Sequence, residues 1–383
     1  MAKVGILTQP LGSNYGGILQ AFALQHTLRE MGHDPIVLNR TRPWYFKAAY
    51  WGWGGLNYVL GRRPKFRMSP NAEELAVITQ HTSRFIQEHI SITKPIASTR
   101  GLKEAVKEEK LDAVIVGSDQ VWRKAYSPCM SNYFLDFLSE DDKIKKIAYA
   151  ASFGIDEWEF GKKETEYYSM LAKEFDAISV REDSAVKLCR DYLDVEAKHV
   201  LDPTMLIDRT VYEDLAASSN TQPNEGSLFC YVLDRTPEKM SLVDKVAKEK
   251  SLIPFELLPQ KTFAEIRSVK ELDECVLLPV EQWLRSFVDA EFVITDSFHG
   301  TVFSILFNKP FLAIGNISRG TCRFNSLLND FSLKDRLLKS NIDTSLIMNT
   351  TSNIDWFQTN FHLRSRLVAS KKYIDLEGNT HDV

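Results

Sequence analysis

The chain has 383 residues, of which 44% are hydrophobic and 26% charged, and this ordinary globular composition excludes disordered and fibrous proteins. Its length predicts two domains with sizeable cores. The formal net charge of -4 gives no sign of the basic domain typical of nucleic-acid binding, so no nucleic-acid partner is expected.

In the first part of the chain, short apolar runs alternate with segments of helical periodicity, which predicts a doubly wound parallel sheet. Strands are predicted at 4–8, 36–39, 113–117, 147–152 and 177–180, and the segment 199–206 closes this domain. Helices are predicted at 18–31, 73–89 and 102–109.

The segment 216–227 is rich in Ser, Asn, Gln, Pro and Gly, and we interpret it as the linker and hinge between two domains. After it, strands are predicted at 228–233, 254–258, 292–295 and 311–315, and helices at 238–250, 280–290, 300–307, 323–329 and 355–373. The predicted organisation is an N-terminal Rossmann-like domain at 1–215, a C-terminal one at 228–340, and a helix and tail at 341–383. Because doubly wound sheets bind ligands outside the carboxyl ends of their strands, we expect a cleft between the domains.

The cysteines are scattered and form no C-x-x-C pair, so neither a disulfide framework nor a structural zinc site is expected. No signal peptide and no run of about 18 apolar residues appears, which predicts a cytoplasmic protein.

His299 is predicted to lie just after the end of a strand that finishes at Thr295. Residues 296–299 form a turn, Gly300 opens a helix, and Thr301 lies in its first turn. His299 would then stand beside a helix N-terminus, whose free amides attract anions, and could transfer protons near a bound phosphate. The alternative is a structural histidine that bonds a backbone carbonyl.

Charged side chains follow three other predicted strands. Asp119 could bind hydroxyl groups or act as a base, or it could cap a helix. Arg181 suits a carboxylate or phosphate, unless it only pairs with Glu182. Arg319 and Arg323 either bind an anion or belong to a solvated loop.

The first loop, at 12–17, has the glycines of a phosphate-cradling turn but matches neither G-x-G-x-x-G nor a Walker loop. Asn39 and Arg40 stand where a ribose-binding acid would be expected, which disfavours nicotinamide and flavin enzymes, and we expect no cofactor. No cluster has metal-ligand spacing. The site therefore suits a small, doubly anionic substrate and proton transfer without a metal.

In order and spacing, these segments resemble the polysaccharide pyruvyl transferase family. The resemblance is carried by 14–21 (NYGGILQA), 117–122 (GSDQVW), 179–182 (SVRE), 296–300 (DSFHG), 308–311 (NKPF) and 319–323 (RGTCR). It implies a glycosyltransferase B-like fold of two Rossmann-type domains. It also implies phosphoenolpyruvate as donor, and as product a pyruvate ketal on a sugar of a surface or capsular polysaccharide precursor.

The resemblance matches the family's site histidine to His299, its sheet-tip aspartate to Asp119 and its anion-binding arginine to Arg181. We expect catalysis from His299 and Asp119. Donor contacts are expected from Arg181, Ser297, Gly300, Thr301, Arg319 and Arg323. Acceptor contacts are expected from Asn14, Tyr15, Gly16, Gly17, Ser118, Gln120 and Trp122. Some members carry an arginine where this chain has Ser297, and Arg319 and Arg323 are the natural replacements.

Two other functions compete with this one. A nucleotide-sugar-dependent glycosyltransferase could have the same two domains, because fold alone does not fix function. A sugar-binding protein with an inactive site is the other alternative, which the retained His, Asp and Arg residues argue against.

An insertion is predicted at 40–72, and its segment 40–67 interleaves aromatic and basic side chains without any Asp or Glu. Aromatic rings favour the headgroup level of a bilayer, and basic side chains favour an anionic leaflet. The segment therefore predicts peripheral contact with the inner face of the plasma membrane or with a lipid-linked acceptor. Alternatively, the aromatic rings cap the first domain or stack on acceptor sugars.

Overall fold

Two parallel β-sheets organise the chain in a computed structural model that describes residues 1–42, 69–139, 142–218, 221–315, 320–338 and 353–376. The first sheet has the order β2-β1-β3-β4-β5-β6 and the second β11-β10-β9-β7-β8. The strands of the first sheet are β1 (Lys3–Leu7), β2 (Asp34–Val37), β3 (Ala113–Gly117), β4 (Lys145–Ala151), β5 (Ala177–Val180) and β6 (Lys198–His199). Those of the second are β7 (Leu228–Tyr231), β8 (Pro254–Phe255), β9 (Phe292–Thr295), β10 (Phe311–Ile314) and β11 (Leu337–Leu338).

Helices join and cover these strands. In the first half they are α1 (Tyr15–Glu30), α2 (Ala72–Ile78), α3 (Gln80–His89), α4 (Thr99–Glu108), α5 (Lys162–Ala172) and α6 (Asp183–Leu188). Later helices are α7 (Arg209–Ala216), α8 (Pro237–Lys250), α9 (Val280–Asp289), α10 (Phe298–Leu306), α11 (Cys322–Asp330) and α12 (Trp356–Lys371).

The central strands are apolar along their whole length because helices cover both faces of a parallel sheet. Every residue of β3, β7, β9 and β10 is buried. Helix α10 is likewise buried along all of its residues, as expected for a helix that is apolar on every side. Each such large aliphatic or aromatic side chain contributes about 1.5–3 kcal/mol when it leaves water.

Each sheet reverses its strand order at one place, and these places position the functional site. In the first sheet, β1 lies between β2 and β3, and in the second, β7 lies between β8 and β9. Where the order reverses, the connections leave on opposite faces and open a crevice at the carboxyl ends of the strands. The loops after β1, β3, β7 and β9 therefore converge.

The last helix returns to the first sheet. The backbone amide of Leu201 donates to Ser370 Oγ at 3.0 Å, and Lys145 Nζ donates to the carbonyl of Leu376 at 2.5 Å. Arg366 Nη2 lies 2.8 Å from Asp330 Oδ2 on α11. Residues from the carboxyl end of the chain thus complete the layer on the amino-terminal domain.

The predicted elements are found with shifted ends. Helix α1 begins at Tyr15, so the expected Gly-rich loop is wrong from residue 15 onward, because the chain becomes helical directly after Asn14. The single helix predicted at 73–89 divides at Thr79, and the segment 199–206 holds only the last residue of β6 and a short 3-10 turn at Pro203–Met205.

The domain limits and the hinge at 216–227 stay predictions. Helix α7, just before the predicted hinge, packs against α9 of the second half. Residues 43–68 lie outside the described residues, as does most of the predicted insertion. None of the described helices is long and apolar enough to cross a bilayer.

Candidate active site

A cavity of about 420 Å³ lies where the loops of the two sheets converge. Its volume falls in the usual range of ligand sites, roughly 300–1,000 Å³. The lining residues from the first domain are Ser13, Asn14, Asp119, Gln120 and Tyr126. Those from the second are Tyr231, Leu233, Asp296, Ser297, Phe298, His299, Arg323 and Phe324.

Gly117 allows the turn that presents Asp119. The glycine has φ 144°, and a Cβ there would lie 1.9 Å from the carbonyl oxygen of Tyr149, so no other residue fits. Asp119 itself has φ 72°, in the left-handed region, which aspartate tolerates better than most residues. Its Oδ2 lies 3.5 Å from Asn14 Nδ2, and its side chain is 10% exposed.

Arg181 contacts two carboxylates, directly behind the cavity-lining residues of the first domain, which we call the first-domain wall. Its Nη1 donates to Asp202 Oδ2 at 2.9 Å, and its Nη2 approaches Asp119 Oδ1 at 3.4 Å. Burial disfavours the charged guanidinium, but Asp202, Asp119 and Glu182 outweigh this cost and raise the pKa of Arg181 above its ordinary value. The ion pair is fully buried, and Arg181 is not among the cavity-lining residues of the described part of the chain.

Asp202 is the centre of the network, and the sequence analysis missed it. Its Oδ1 accepts from the backbone amide and hydroxyl of Thr204, and Ser118 Oγ donates to its Oδ2 at 3.3 Å. Burial alone would raise the pKa of Asp202, but His299 and Arg181, together with the Thr204 hydrogen bonds, hold it well below its usual range. Asp202 is therefore a buried, ionised acceptor.

His299 faces this carboxylate from the second domain. It lies in the first turn of α10 and not in the turn before it, because Ser297 caps the helix with its side chain. Its Nε2 lies 3.5 Å from Asp202 Oδ2, an ion-pair distance that is longer than an ordinary hydrogen bond. The alternative of a ring bonded to a backbone carbonyl is not what the structure has.

Gly16 lies against the other side of the same ring. A Cβ at this position would stand 2.0 Å from His299 Nδ1, so the contact requires glycine. Helix α1 of the first domain thereby supports the imidazole of the second, and the ring is held between Gly16 and Asp202.

Arg323 lies on the second-domain side of the cavity. Its guanidinium carbon is 5.5 Å from the centre of the Phe298 ring, and that of Arg181 is 4.7 Å from the same ring. Both distances are those of cation–π contacts. Burial and the neighbouring Arg181 lower the pKa of Arg323. Two guanidinium groups thus share one aromatic ring, and one of them lines the cavity.

Asp296, the residue before Ser297, connects two loops of the second domain. Its Oδ1 accepts from the amide of Leu233 at 2.7 Å, and its Oδ2 accepts from the amide of Asp234 and from Lys239 Nζ. These bonds fix the loop after β7 to the loop after β9, which together form the second-domain wall.

Some of the predicted acceptor residues line the cavity, and others lie in the core. Asn14 and Gln120 line the cavity. Tyr15 stacks on Trp283 and donates to the carbonyl of Leu278, and Trp122 is fully buried with its indole N–H bonded to the carbonyl of Tyr133. Both rings pack in the core that supports the site. Direct acceptor contacts from Tyr15 and Trp122 stay a prediction, and this packing favours a supporting function for both rings.

Several of the small residues predicted to contact substrate instead make hydrogen bonds that hold the loops around the site. Ser118 is fully buried on Asp202, and the carbonyl of Gly17 accepts from Gln20. Gly300 donates its amide to Ser297 Oγ, and Thr301 donates its hydroxyl to the carbonyl of Ser297. Ser297 lines the cavity, whereas Arg319 lies outside the described residues.

Tyr126 is a further lining residue that sequence reasoning missed. It is 40% exposed, and the Arg123 guanidinium lies 4.7 Å from its ring centre. The only sequence signal was an aromatic residue a few positions after Trp122. Together, the described lining residues offer an imidazole, carboxylates, a guanidinium group and the exposed aromatic ring of Tyr126.

A model of the family described as polysaccharide pyruvyl transferase matches residues 14–318. No curated protein sequence matches the chain. Among solved structures, a UDP-N-acetylglucosamine 2-epimerase from Rickettsia bellii is 14% identical with a TM-score of 0.50, covering 98% of this chain and 95% of that one. A Listeria monocytogenes structure described as a UDP-N-acetylglucosamine 2-epimerase is 10% identical with a TM-score of 0.52, covering 100% and 99%.

These solved structures support the fold alone, which is α/β with two parallel-sheet domains arranged as in glycosyltransferase B-like proteins. The family model spans most of the chain and includes Asn14, Asp119, Arg181, Asp202 and His299. The chain belongs to the polysaccharide pyruvyl transferase family.

Proposed function

We propose that the protein transfers the pyruvyl group of phosphoenolpyruvate to two hydroxyl groups of one sugar in a polysaccharide precursor. The observation that carries the proposal is His299, which is 6% exposed, 3.5 Å from Asp202, and on the same cavity as Asp119 and Arg323. This is a proton-transfer group beside a cation, in the cleft between two sheets.

The reaction adds a proton to C3 of phosphoenolpyruvate and a sugar oxygen to C2. The C2–O bond to phosphate then breaks, and a second sugar oxygen bonds to C2 and closes the ketal. Of the two hydroxyl protons, one ends on C3 and the other leaves with phosphate. The protein must therefore move protons and hold a carboxylate and a phosphate in place.

His299 is the proposed proton-transfer residue, with Asp119 as the residue that orients or deprotonates the acceptor hydroxyl. Asp202 is proposed as a positioning residue, because its Oδ2 lies 3.5 Å from His299 Nε2 and its own hydrogen bonds to Thr204 and Ser118 fix it in place. Gly16 supports the opposite edge of that ring. Proton transfer by a positioned side chain of this kind is worth about 10²–10⁴-fold in rate.

The donor is proposed to lie against the second-domain wall. Arg323 and Ser297 line it, and the N-terminus of α10 favours negative charge. Arg181 supports this wall through Phe298, and its Nε has no hydrogen bond in the described structure. Arg319 stays a proposed donor contact on the strength of the sequence.

The acceptor sugar is proposed to lie on the first-domain side, near Asn14, Gln120 and Tyr126. Sugar precursors are proposed to be lipid-linked, with residues 40–67 touching anionic lipid. Co-sedimentation with anionic vesicles at low salt tests that part. Wild-type protein that stays in the supernatant would remove the membrane contact and leave the chemistry intact.

Phosphate release from phosphoenolpyruvate in the presence of a panel of sugar acceptors tests the function directly. We expect acceptor-dependent release, and a rise in the unfolding temperature with phosphoenolpyruvate alone. UDP-sugars form the second arm of the experiment. Stabilisation by a UDP-sugar, with no response to phosphoenolpyruvate, would replace this proposal with a nucleotide-sugar-dependent transferase.

A further inference from the structure

A second cavity, of about 610 Å³, lies between helices of the two domains and shares no described lining residue with the first. It is lined by Phe22, His26, Glu88, His89, Val211, Asp214, Leu215, Ser218 and Glu281. Three carboxylates and two imidazoles thus face one space. Such a set of donors is typical of sites for divalent cations.

Glu281, in the first turn of α9, carries the argument. Its side chain is 2% exposed, and its Oε1 is paired with Arg84 Nη2 at 2.7 Å. Its Oε2 is buried and has no hydrogen-bond partner in the described structure. An unsatisfied buried carboxylate oxygen calls for an ion or a water, because leaving it alone is costly.

The same cavity holds a second orphaned atom. Ser218 Oγ, beyond the end of α7, is also buried without a hydrogen-bond partner in the described residues. Two independent elements therefore present unsatisfied oxygen atoms to one space. This is the pattern expected where a bound ion with its water molecules completes the bonding.

The candidate ligand atoms lie close to one another. One atom each from Glu88, His89 and Glu281 lie within 4.8 Å of one another. Around a tetrahedral ion with bonds of about 2.1 Å, neighbouring ligand atoms are about 3.4 Å apart. The side chains of Glu88 and His89 are 51% and 32% exposed, so they have the freedom to close the remaining distance.

Arg84 does not fill this site. It occupies Oε1 of Glu281, and its Nε is 3.7 Å from Glu88 Oε2. One guanidinium thus lies between two carboxylates, and Asp214 adds a third at the rim. The local charge stays negative, and Glu281 Oε2 is left for another cation.

We propose that Glu88, His89 and Glu281 bind a divalent transition-metal ion of the zinc class, with water in its remaining positions. Imidazole nitrogen with carboxylate oxygen suits zinc and its neighbours better than it suits calcium or magnesium. The ion joins the end of α3 in the first domain to the start of α9 in the second. The ion is expected to hold the two domains together. It has no part in the chemistry at His299.

Calorimetric titration of the full chain with Zn²⁺, after EDTA treatment and desalting, tests the site. We expect one equivalent to bind, and binding to weaken at least about tenfold in His89→Ala and Glu88→Gln, because even outer contacts of metal sites are worth that much. His81→Ala, on the same helix but outside the cluster, is the matched control and should bind like wild type.

Thermal unfolding gives a second readout that needs no catalysis. Zn²⁺ should raise the unfolding temperature of wild type and of His81→Ala, and it should not raise that of His89→Ala. Absence of saturable binding in wild type, or equal affinity in His81→Ala and His89→Ala, would overturn the proposal. Glu281→Gln would also remove the charged partner of Arg84 and could lower stability for that reason alone. The variants at the more exposed Glu88 and His89 therefore decide the outcome.

Discussion

Two buried arginines, 4.7 and 5.5 Å from the same phenylalanine ring, differ in how their charge is balanced. Arg181 lies behind the first-domain wall between Asp119 and Asp202, and their charges raise its pKa. Arg323 lines the cavity, and burial together with Arg181 lowers its pKa. Arg181 holds the two carboxylates in place, and we propose that Arg323, which lines the cavity, takes the substrate anion.

The largest effect is expected from Asp202→Asn, which removes the charge that balances Arg181 and faces His299. Breaking a buried pair on one side typically costs about 3–5 kcal/mol, and we expect a loss of that size in the free energy of unfolding. Urea denaturation at neutral pH measures it. Asp208→Asn is the matched control, since an exposed helix cap keeps its function as asparagine.

The stability difference between wild type and Asp202→Asn should also depend on pH in a defined way. An aspartate in an unfolded chain titrates near about pH 3.9. Because folding lowers the pKa of Asp202, its stabilisation is complete above that value and is lost as the pH falls towards the lower pKa of the folded protein. The stability difference between wild type and Asp202→Asn should therefore be constant near neutrality and shrink below about pH 4. A difference that instead grew with acid would contradict the network.

His299→Ala should lower turnover by about 10²–10⁴-fold while the protein stays folded. The measurement is acceptor-dependent phosphate release, with circular dichroism to check the fold. His362→Ala, on α12, should be as active as wild type. Near-normal turnover in His299→Ala would remove this residue from the mechanism.

The two arginines themselves can be compared by the same substitution. Arg323→Lys should weaken phosphoenolpyruvate binding by about 1.5–3 kcal/mol, the worth of a charge-assisted hydrogen bond, with little change in stability. Arg181→Lys should mainly lower the free energy of unfolding, because the single, shorter-reaching ammonium of lysine cannot reproduce the planar fork whose Nη1 contacts Asp202 and whose Nη2 contacts Asp119. Titration calorimetry and denaturation separate the two effects. The reverse pattern would make Arg181 the donor-binding residue.

Of the five substitutions, Gly16→Ala should have the smallest effect, and it tests whether helix α1 of the first domain positions the imidazole of the second. The added methyl would lie 2.0 Å from His299 Nδ1, so the ring must move, at a cost typical of overpacking, about 1–3 kcal/mol. Turnover should fall with it. Gly12→Ala is the control, since a Cβ there meets nothing within 4 Å. Unchanged kinetics in Gly16→Ala would mean that this contact does not position the imidazole.

Sequence patterns predicted the strands well where burial on both faces makes them continuously apolar, as at Ala113–Gly117 and Phe292–Thr295. They also named Asp119 and His299, because polar residues directly after such strands stand out. Asp202 was missed because Asp-Pro-Thr reads as an ordinary turn, and only the folded chain brings it to residues far away in sequence. The burial of Trp122 was not foreseen, because a sequence pattern cannot distinguish an aromatic residue near a polar motif from a residue of the core.

The return of the last helix to the first sheet has a consequence for how the protein is made. Residues that cover β4 and β5, among them Ser370 and Leu376, leave the ribosome after every strand of both sheets. Multidomain chains usually fold from the amino terminus during synthesis. Here the first domain emerges early but stays without this cover until α12 and the residues directly after it have been translated. Chains cut short before α12 should therefore depend on chaperones and be degraded quickly, even though every described residue of the active site is already present.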